Sequence, residues 1–447
     1  MLREIQRIGP FLIRNYKKTT LYHKNSPFSW KVRKKVLIVR EKFYSLILLK
    51  VYNKNHQRGV GNNTSKRRIR NMKKKIVSFV LCTVMAAALA GCGSGGDGST
   101  STAASGGGSS AASSSAGSSS SASSKEEDTG SGDAITVGFS QVGAESDWRT
   151  ANSASMKETF VEANGYHLIF DDAQQKQENQ ITAIRNFIQQ EVDYIVLAPV
   201  TETGWDTVLK EAQDADIPVI IVDRMVDVSD DSLYTAWVGS NFRAEGDKAV
   251  TWLDEYYKSK GMENEEVNIV NIQGTIGASA QIGRTEGLEA GIEAHSNWNM
   301  VAQQTGEFTQ AKGQEVMESV LKQHDDIDVV YCENDNEAFG AIDAIEAAGK
   351  TVGIDGDILV VSFDSTNAGL TDTMSGKITL NVECNPLHGP RVQEIIEKLE
   401  AGETPDKQAF VDEEVFAATD VVKSVKTDAG SFDVTVVTQD VLDNRAY

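Results

Sequence analysis

The chain has 447 residues, 40% of them apolar, with a formal charge of −20, six His and four Cys. At roughly 150 residues per domain this length predicts two or three domains, with enough apolar matter for a sizeable core. The charge is unevenly split: residues 1–91 carry 22 Lys/Arg against 2 Asp/Glu, leaving 22 against 62 in the remainder. A body that acidic repels phosphate backbones, which argues against nucleic-acid binding, and no CxxC or HxxxH spacing marks a metal site.

The basic start does not read as one domain. Within residues 72–91, Lys at 73–75 forms a positive start, 76–88 is an apolar stretch, and Leu89-Ala90-Gly91 precedes Cys92. This is the grammar of a secretory signal peptide, and its apolar run falls short of the about 20 residues a spanning helix needs. The Leu-Ala-Gly-Cys sequence resembles a bacterial lipoprotein box, which implies cleavage before Cys92 and a diacylglyceryl group on it; two acyl chains suffice for stable anchoring. Residues 1–71 stand upstream of that signal and are read as an over-extended gene start, with Met72 as the true first residue. Residues 92–133 are read as the lipidated Cys and a tether. From 93 to 133, 26 of 41 residues are Gly or Ser, too little apolar surface to offset the entropy of ordering. As a random coil this segment reaches about 35 Å. The expected location is extracytoplasmic, lipid-anchored to the outer face of the cell membrane. Cys332 and Cys384 remain in the mature chain, and buried free thiols are expected there.

From 134 onward, short apolar runs alternate with amphipathic stretches. Strands are expected at 135–140, 167–170, 194–198, 219–222, 267–272, 329–331, 358–363 and 378–382. Helical patterns lie at 148–163, 176–189, 203–213, 243–257, 280–295 and 311–322. Short apolar runs bounded by turns read as buried parallel strands, so the fold class is α/β with open parallel sheets. About ten such units are too many for one compact sheet, which predicts two lobes; a closed (β/α)8 barrel is the alternative.

In open α/β sheets ligands bind at the carboxyl ends of the strands. There the sequence places Ser140 and Gln141, followed by Glu145, Trp148 and Arg149; then Asp223 and Arg224; then Glu333, Asn334 and Asp335; then Asp364; then Glu383. Arg284 follows the 274–279 loop. A single acidic strand end is often only a helix cap, but five such ends form a pattern. Carboxylates, amides and guanidinium bridge vicinal hydroxyls, and an aromatic such as Trp148 stacks on the apolar face of a sugar. The near balance of charge among these residues suits a neutral polyol. Enzyme readings are weak. Gln273-Gly274-Thr275-Ile276-Gly277-Ala278-Ser279 looks like a phosphate cradle but lacks the GK[ST] ending; no Gly-x-Ser-x-Gly elbow is present, and no carboxylate pair stands out for glycoside hydrolysis.

Longer motifs sharpen this. VGFSQVGAESDWR (137–149), DDAQQKQENQITAIRNFI (171–188), APVTETGWDTVLKEAQDADIPVIIVDR (198–224), QGTIGASAQIGRTEGL (273–288), GEFTQAKGQEVMES (306–319) and ENDNEAFGAI (333–342) resemble the type I periplasmic sugar-binding proteins of ABC importers, the ribose-binding-like family, and most of all its galactofuranose-binding branch. The resemblance covers essentially all of 134–447. It implies two Rossmann-like lobes joined by a three-crossing hinge: 134–238 with about 385–411, and 239–384 with about 412–447. It implies no catalysis and no cofactor, a monosaccharide ligand such as galactofuranose, permease subunits as partners, and a monomer. Residue by residue, the implied ligand-binding set is Gln141, Glu145, Trp148, Arg149, Asp223, Arg224, Arg284, Phe308 (a second stacking ring), Asn334, Asp364 and Glu383. The family usually shows Asp-Asn at the first hinge crossing, where this chain reads Ser240-Asn241-Phe242, so a polar ligand contact does not carry over there. A ribose-type site would show paired phenylalanines near 148, where this chain reads Asp147-Trp148, and ribose is less favoured. A surface sensor feeding a kinase, or a binder of ribose or another pentose, is the alternative. The same lobes also occur in sugar-responsive repressors, but here an export signal stands where a DNA-binding helix pair would be.

Overall fold

The structure, a computed structural model, describes residues 134–447. The features expected at 1–71, 72–91 and 92–133, Cys92 included, lie outside the described residues.

Two open sheets form the scaffold. The first holds β1 (Ile135–Gln141), β2 (Tyr166–Asp172), β3 (Tyr194–Leu197), β4 (Val219–Val222), β5 (Ala236–Gly239) and β11 (Gln408–Phe410), all parallel, in the order β11-β5-β4-β3-β1-β2. The second holds β6 (Val267–Gln273), β7 (Trp298–Thr305), β8 (Val329–Cys332), β9 (Leu359–Asp364), β10 (Leu380–Glu383), β12 (Val415–Ala417), β13 (Ser424–Thr427) and β14 (Gly430–Val436), in the order β13-β14-β12-β10-β9-β8-β6-β7. Its β7-to-β10 part is parallel, and β12 joins β10 antiparallel. The helices, in chain order, are α1 (Asp147–Thr159), α2 (Gln177–Gln189), α3 (Asp206–Asp214), α4 (Phe242–Ser259), α5 (Ser279–Ala294), α6 (Gln310–Val320), α7 (Asp335–Ala347), α8 (Asn367–Met374), α9 (Gly389–Ala401) and α10 (Gln439–Asp443). Two separate open sheets replace the alternative of a closed barrel.

The eight expected strands are β1–β4, β6 and β8–β10, with ends within two residues of the expected ones. The reason is plain in β3 (YIVL) and β4 (VIIV), buried at every position: a parallel strand covered on both faces leaves no polar register to read. Alternate residues feed opposite faces. Val196 and Ile220 pack with Phe139 and Ile396 on one side, Ile195 and Ile221 with Trp205 and Phe187 on the other. The expected helix 148–163 stops at Thr159. Caps fix the helix starts: Ser146 Oγ accepts from Arg149 N at α1 (3.1 Å), and Asn334 Oδ1 from Glu337 N at α7 (2.8 Å). Pro390 sits in the first turn of α9, and left-handed Gly402 ends it.

The chain passes from one sheet to the other three times: at Ser240 and Asn241 between β5 and α4, at 384–388 between β10 and α9, and at 411–414 between β11 and β12. These crossings hold each other. Ser240 Oγ donates to Glu413 Oε1 (2.5 Å), which also accepts from Asn385 N (2.9 Å), while Asn241 Oδ1 caps α4 through Ala244 N (3.1 Å). Thus Ser240 serves the crossing itself. Both Cys332 and Cys384 are buried and free, as expected.

The core of the second lobe contains Trp252, fully buried and stacked on Tyr256 at 5.1 Å. Trp252→Ala is expected to lower stability by about 3–5 kcal/mol, the cost of an unfilled aromatic cavity. A fall in the urea midpoint at constant slope would show it; an unchanged midpoint would contradict this packing.

Candidate functional site

The strand ends of the two sheets meet across the seam between the lobes and line a pocket there. Nine of the eleven residues singled out from the sequence line it: Glu145, Trp148, Arg149, Asp223, Arg224, Arg284, Phe308, Asn334 and Asp364. The loop from β1 into α1 brings Glu145, the first turn of α1 brings Trp148 and Arg149, the end of β4 brings Asp223 and Arg224, and α5 carries Arg284. Gln141 stands one layer back, its Oε1 accepting from Arg149 Nη1 (3.2 Å) and its Nε2 donating to Asn152 (2.8 Å).

Glu383 is not among the residues that line this pocket. Its carboxylate faces away to Arg445 Nη1 (3.1 Å), Tyr447 Oη (2.7 Å) and Glu414 N (2.7 Å). The sequence reading also missed Ser146, Phe242, Ala280 and Cys384, which complete the wall. Phe242 had a signal, since it directly follows the first crossing; Ala280 and Cys384 had none.

Three buried guanidinium groups dominate the electrostatics. Arg149 is paired through Nε to Glu145 Oε1 (3.0 Å) and through Nη1 to Asp223 Oδ2 (2.8 Å), with its guanidinium carbon 4.6 Å from the Trp148 ring centre. Burial favours its neutral form, but Asp223 and Glu145 outweigh this and raise its pKa. Arg284 donates through Nε to Glu245 Oε2 (2.7 Å) and through Nη1 to the Glu333 carbonyl (2.5 Å), leaving Nη2 3.6 Å from Asp364 Oδ1. Arg224 differs. Its hydrogen bond is to Val200 O (3.0 Å), and its nearest carboxylates, Glu145 and Asp223, stand 3.9 and 4.0 Å away. Burial, then repulsion from Arg149, pulls it down to about 10, so it stays cationic at neutral pH with donors to spare. Against these three cations the wall sets Glu145, Asp223 and Asp364, a formal balance that suits an uncharged ligand. Burial pushes the Asp364 carboxyl up, and Arg284 acts in the opposite sense.

Apolar faces complete the pocket. Trp148, Phe242, Phe308, Ala278, Ala280 and Cys384 form one cluster. Trp148 Nε1 donates to the Cys384 carbonyl at the second crossing (2.6 Å), and Arg224 lies 4.9 Å over the Phe308 ring. The glycine of the false phosphate cradle has a packing reason: a Cβ on Gly274 would lie 1.9 Å from the Phe308 ring. Three wall residues, Asp223 (φ 63°), Phe308 (φ 60°) and Asp364 (φ 99°), adopt left-handed backbone, the strain that collects at functional sites.

The lobes touch across the seam. Asp147 N donates to Asn336 Oδ1 (3.0 Å), Met225 N to Ser279 Oγ (2.8 Å) and Glu202 N to Gly277 O (2.9 Å). Such contacts are what a two-state closure around a ligand makes and breaks. Among the described residues, Glu245, Glu413 and Cys384 bring potential metal ligands within 4.8 Å. Arg284 bonds Glu245 and Lys248 bonds the Glu413 carbonyl (3.1 Å), so two cations already oppose a metal there.

Similarity to known proteins agrees with this geometry. The periplasmic binding protein domain family matches residues 137–386. The galactofuranose-binding protein YtfQ of Escherichia coli is 42% identical over 277 residues, 61% of this chain and 85% of that protein. A crystal structure from Mycobacterium smegmatis in complex with β-D-fucofuranose is 45% identical at a TM-score of 0.61, over 64% of this chain and 93% of that one. The binding protein of the arabinose ABC transporter from Shewanella sp. ANA-3, bound to α- and β-L-arabinofuranose, is 42% identical at 0.60, with the same coverage of both chains. The chain belongs to the periplasmic binding protein family, as a type I extracytoplasmic sugar-binding protein of ABC importers related to the galactofuranose- and ribose-binding proteins. It binds a monosaccharide as a non-catalytic transport component.

Behind Arg284, the fully buried Glu333 accepts from Thr285 Oγ1 (2.5 Å) and Gly274 N (2.9 Å). Burial pushes its carboxyl from 4.5 up to about 7, with the Thr285 bond pulling the other way. The native state therefore holds this proton where the unfolded chain has lost it, so the stability it contributes is complete below pH 4.5 and is lost as pH rises through 7. The loss amounts to about 3 kcal/mol. His388, buried and pulled down to about 4, acts oppositely, costing stability as pH falls below 6.5. Melting temperature against pH for the wild type and Glu333→Gln separates the two: between about pH 4.5 and 6.5, where the two groups oppose each other in the wild type, the variant should gain stability more steeply as pH rises, and it should lack the wild type's fall between about 6.5 and 7; parallel profiles would contradict the shift.

Proposed function

We propose that the ligand is a hexose in its furanose form, galactofuranose or a close relative, captured as the lobes close and delivered to an ABC importer. The observation that carries this reading is the charge-balanced ring of three arginines and three carboxylates around aromatic walls in one pocket. The furanose ligands named for relatives at 42–45% identity support it. Arg224, with the most unengaged donors, would bridge ring hydroxyls together with Asp223 and Asn334. Trp148 and Phe308 would face the apolar side of the ring, and Glu145 with Arg149 would reach an exocyclic diol. In this reading Arg284 positions Asp364 and the β8 end as much as it touches the sugar. The arabinofuranose complex of a relative makes a pentofuranose the second reading.

Calorimetry with D-galactose, L-arabinose and D-ribose tests both. Galactose should bind more tightly than ribose; ribose binding with no response to galactose or arabinose would overturn the furanose reading. Arg224→Ala should weaken binding about tenfold or more, since it strands ligand oxygens and unbalances two buried carboxylates. Wild-type affinity in that variant would remove Arg224 from the site.

We further propose that the protein is held at the outer membrane face by acyl chains on Cys92. The charged start, apolar stretch and Leu-Ala-Gly-Cys sequence support this. Cys92→Ala should abolish lipid labelling and release the protein from the membrane fraction. A wild type without lipid label, or a variant that fractionates unchanged, would refute the anchor.

A further inference from the structure

Asp364 sits on a turn that L-residues rarely adopt. It ends β9 with φ 99°, and Ser365 follows at φ 55°. Strain of this kind persists only where neighbours over-determine it. The neighbours are specific. Ser365 N and Oγ both donate to Asn381 Oδ1 (3.0 Å each), and Thr366 N donates to Asp335 Oδ2 (2.8 Å). The Ser365 carbonyl accepts from Arg445 Nε (2.8 Å), a residue beyond α10 and 80 positions away.

Arg445 is in turn clasped. Its Nη1 meets Glu383 Oε1 (3.1 Å), its Nη2 donates to Tyr447 Oη (2.5 Å), and that phenol donates to the same Glu383 oxygen (2.7 Å). Its guanidinium stacks 4.1 Å from the Tyr447 ring centre, and Tyr447 O accepts from Asn367 N (2.7 Å). The Arg445 and Glu383 side chains are only 9% and 5% exposed. Burial, reinforced by Glu383, raises the Tyr447 phenol and keeps it a donor. None of the three residues lines the pocket.

We propose that Arg445, held by Glu383 and Tyr447, is a positioning residue for the sugar site: it pins the Ser365 carbonyl and so keeps the strained Asp364 in the pocket wall, facing Arg284. The proposal rests on the reading of Asp364 as a ligand-binding residue. It also gives Glu383, placed at the site by its strand-end position, a role one step removed from the ligand.

The test is a double-mutant cycle with Arg445→Met and Asp364→Asn, read by calorimetry with D-galactose and L-arabinose. Arg445→Met alone should weaken binding about tenfold. The same substitution in the Asp364→Asn background should cost little more, because its effect passes through Asp364. Unchanged affinity in Arg445→Met, or additive losses around the cycle, would overturn the proposal. Glu383→Gln, which keeps the shape of the clasp and removes its charge, should reproduce the weaker binding. Hydrogen exchange without sugar gives a second readout. Peptides covering 363–368 should exchange faster in Arg445→Met while those of β1–β4 stay unchanged, and equal exchange at 363–368 would also overturn the clasp. If the wild type binds neither sugar, the furanose reading fails, and the exchange experiment alone decides the role of Arg445.

Discussion

Three guanidinium groups buried in one seam set the terms for everything around them. A buried ion is costly unless it is paired and its hydrogen bonds are satisfied. Arg149, Arg224 and Arg284 are each 2–3% exposed. The protein answers with carboxylates from four separate segments: Glu145 before α1, Asp223 after β4, Glu245 in α4 and Asp364 at the end of β9. Pairing is graded. Arg149 is held by two carboxylates through Nε and Nη1, Arg284 is tied down by two nitrogens, and Arg224 is solvated least by the protein itself. A neutral ligand with many hydroxyls is the natural complement to the last of these, since it adds acceptors without adding charge.

The backbone carries the complementary half of the design. Asp223 and Asp364 occupy corresponding places, at the ends of β4 and β9, and both are bent into left-handed conformation. A strand that continued straight would point these side chains at one face of the sheet; the turn places the carboxylates in the seam. Close approach elsewhere serves the same end, as where the missing Cβ of Gly274 admits the Phe308 ring and a Cβ on Gly239 would lie 2.2 Å from the Asp223 carbonyl.

Much of this was legible in the sequence because buried parallel strands are continuous apolar runs and the residues after them face the crevice. That rule located Glu145, Asp223, Arg224, Asn334 and Asp364. It failed at Glu383 because it counts position along the strand and not direction. β10 has an antiparallel neighbour in β12, and the partners that claim Glu383 lie 62 and 64 residues further on. β7 went unread because it is an edge strand, mostly half-buried, without the apolar run that marks its neighbours. α7 is masked in the sequence because its opening residues have the character of a strand end, although Asn334 serves both purposes as helix cap and wall residue. Contacts to backbone atoms, such as Trp148 on the Cys384 carbonyl, leave no trace in residue type.

That last contact has an optical consequence. Among the described residues, Trp205, Trp237, Trp252 and Trp298 belong to the apolar cores of the two lobes, where parting of the lobes would leave their surroundings intact. Trp148 alone lines the seam, its indole N–H fastened to the second crossing and its face covered by a guanidinium. The guanidinium belongs to the same helix and lobe, but the hydrogen bond ends on a crossing, so any shift of that crossing against α1 reaches the excited state of the indole, and the protein carries a fluorescent gauge of its own closure without any added label.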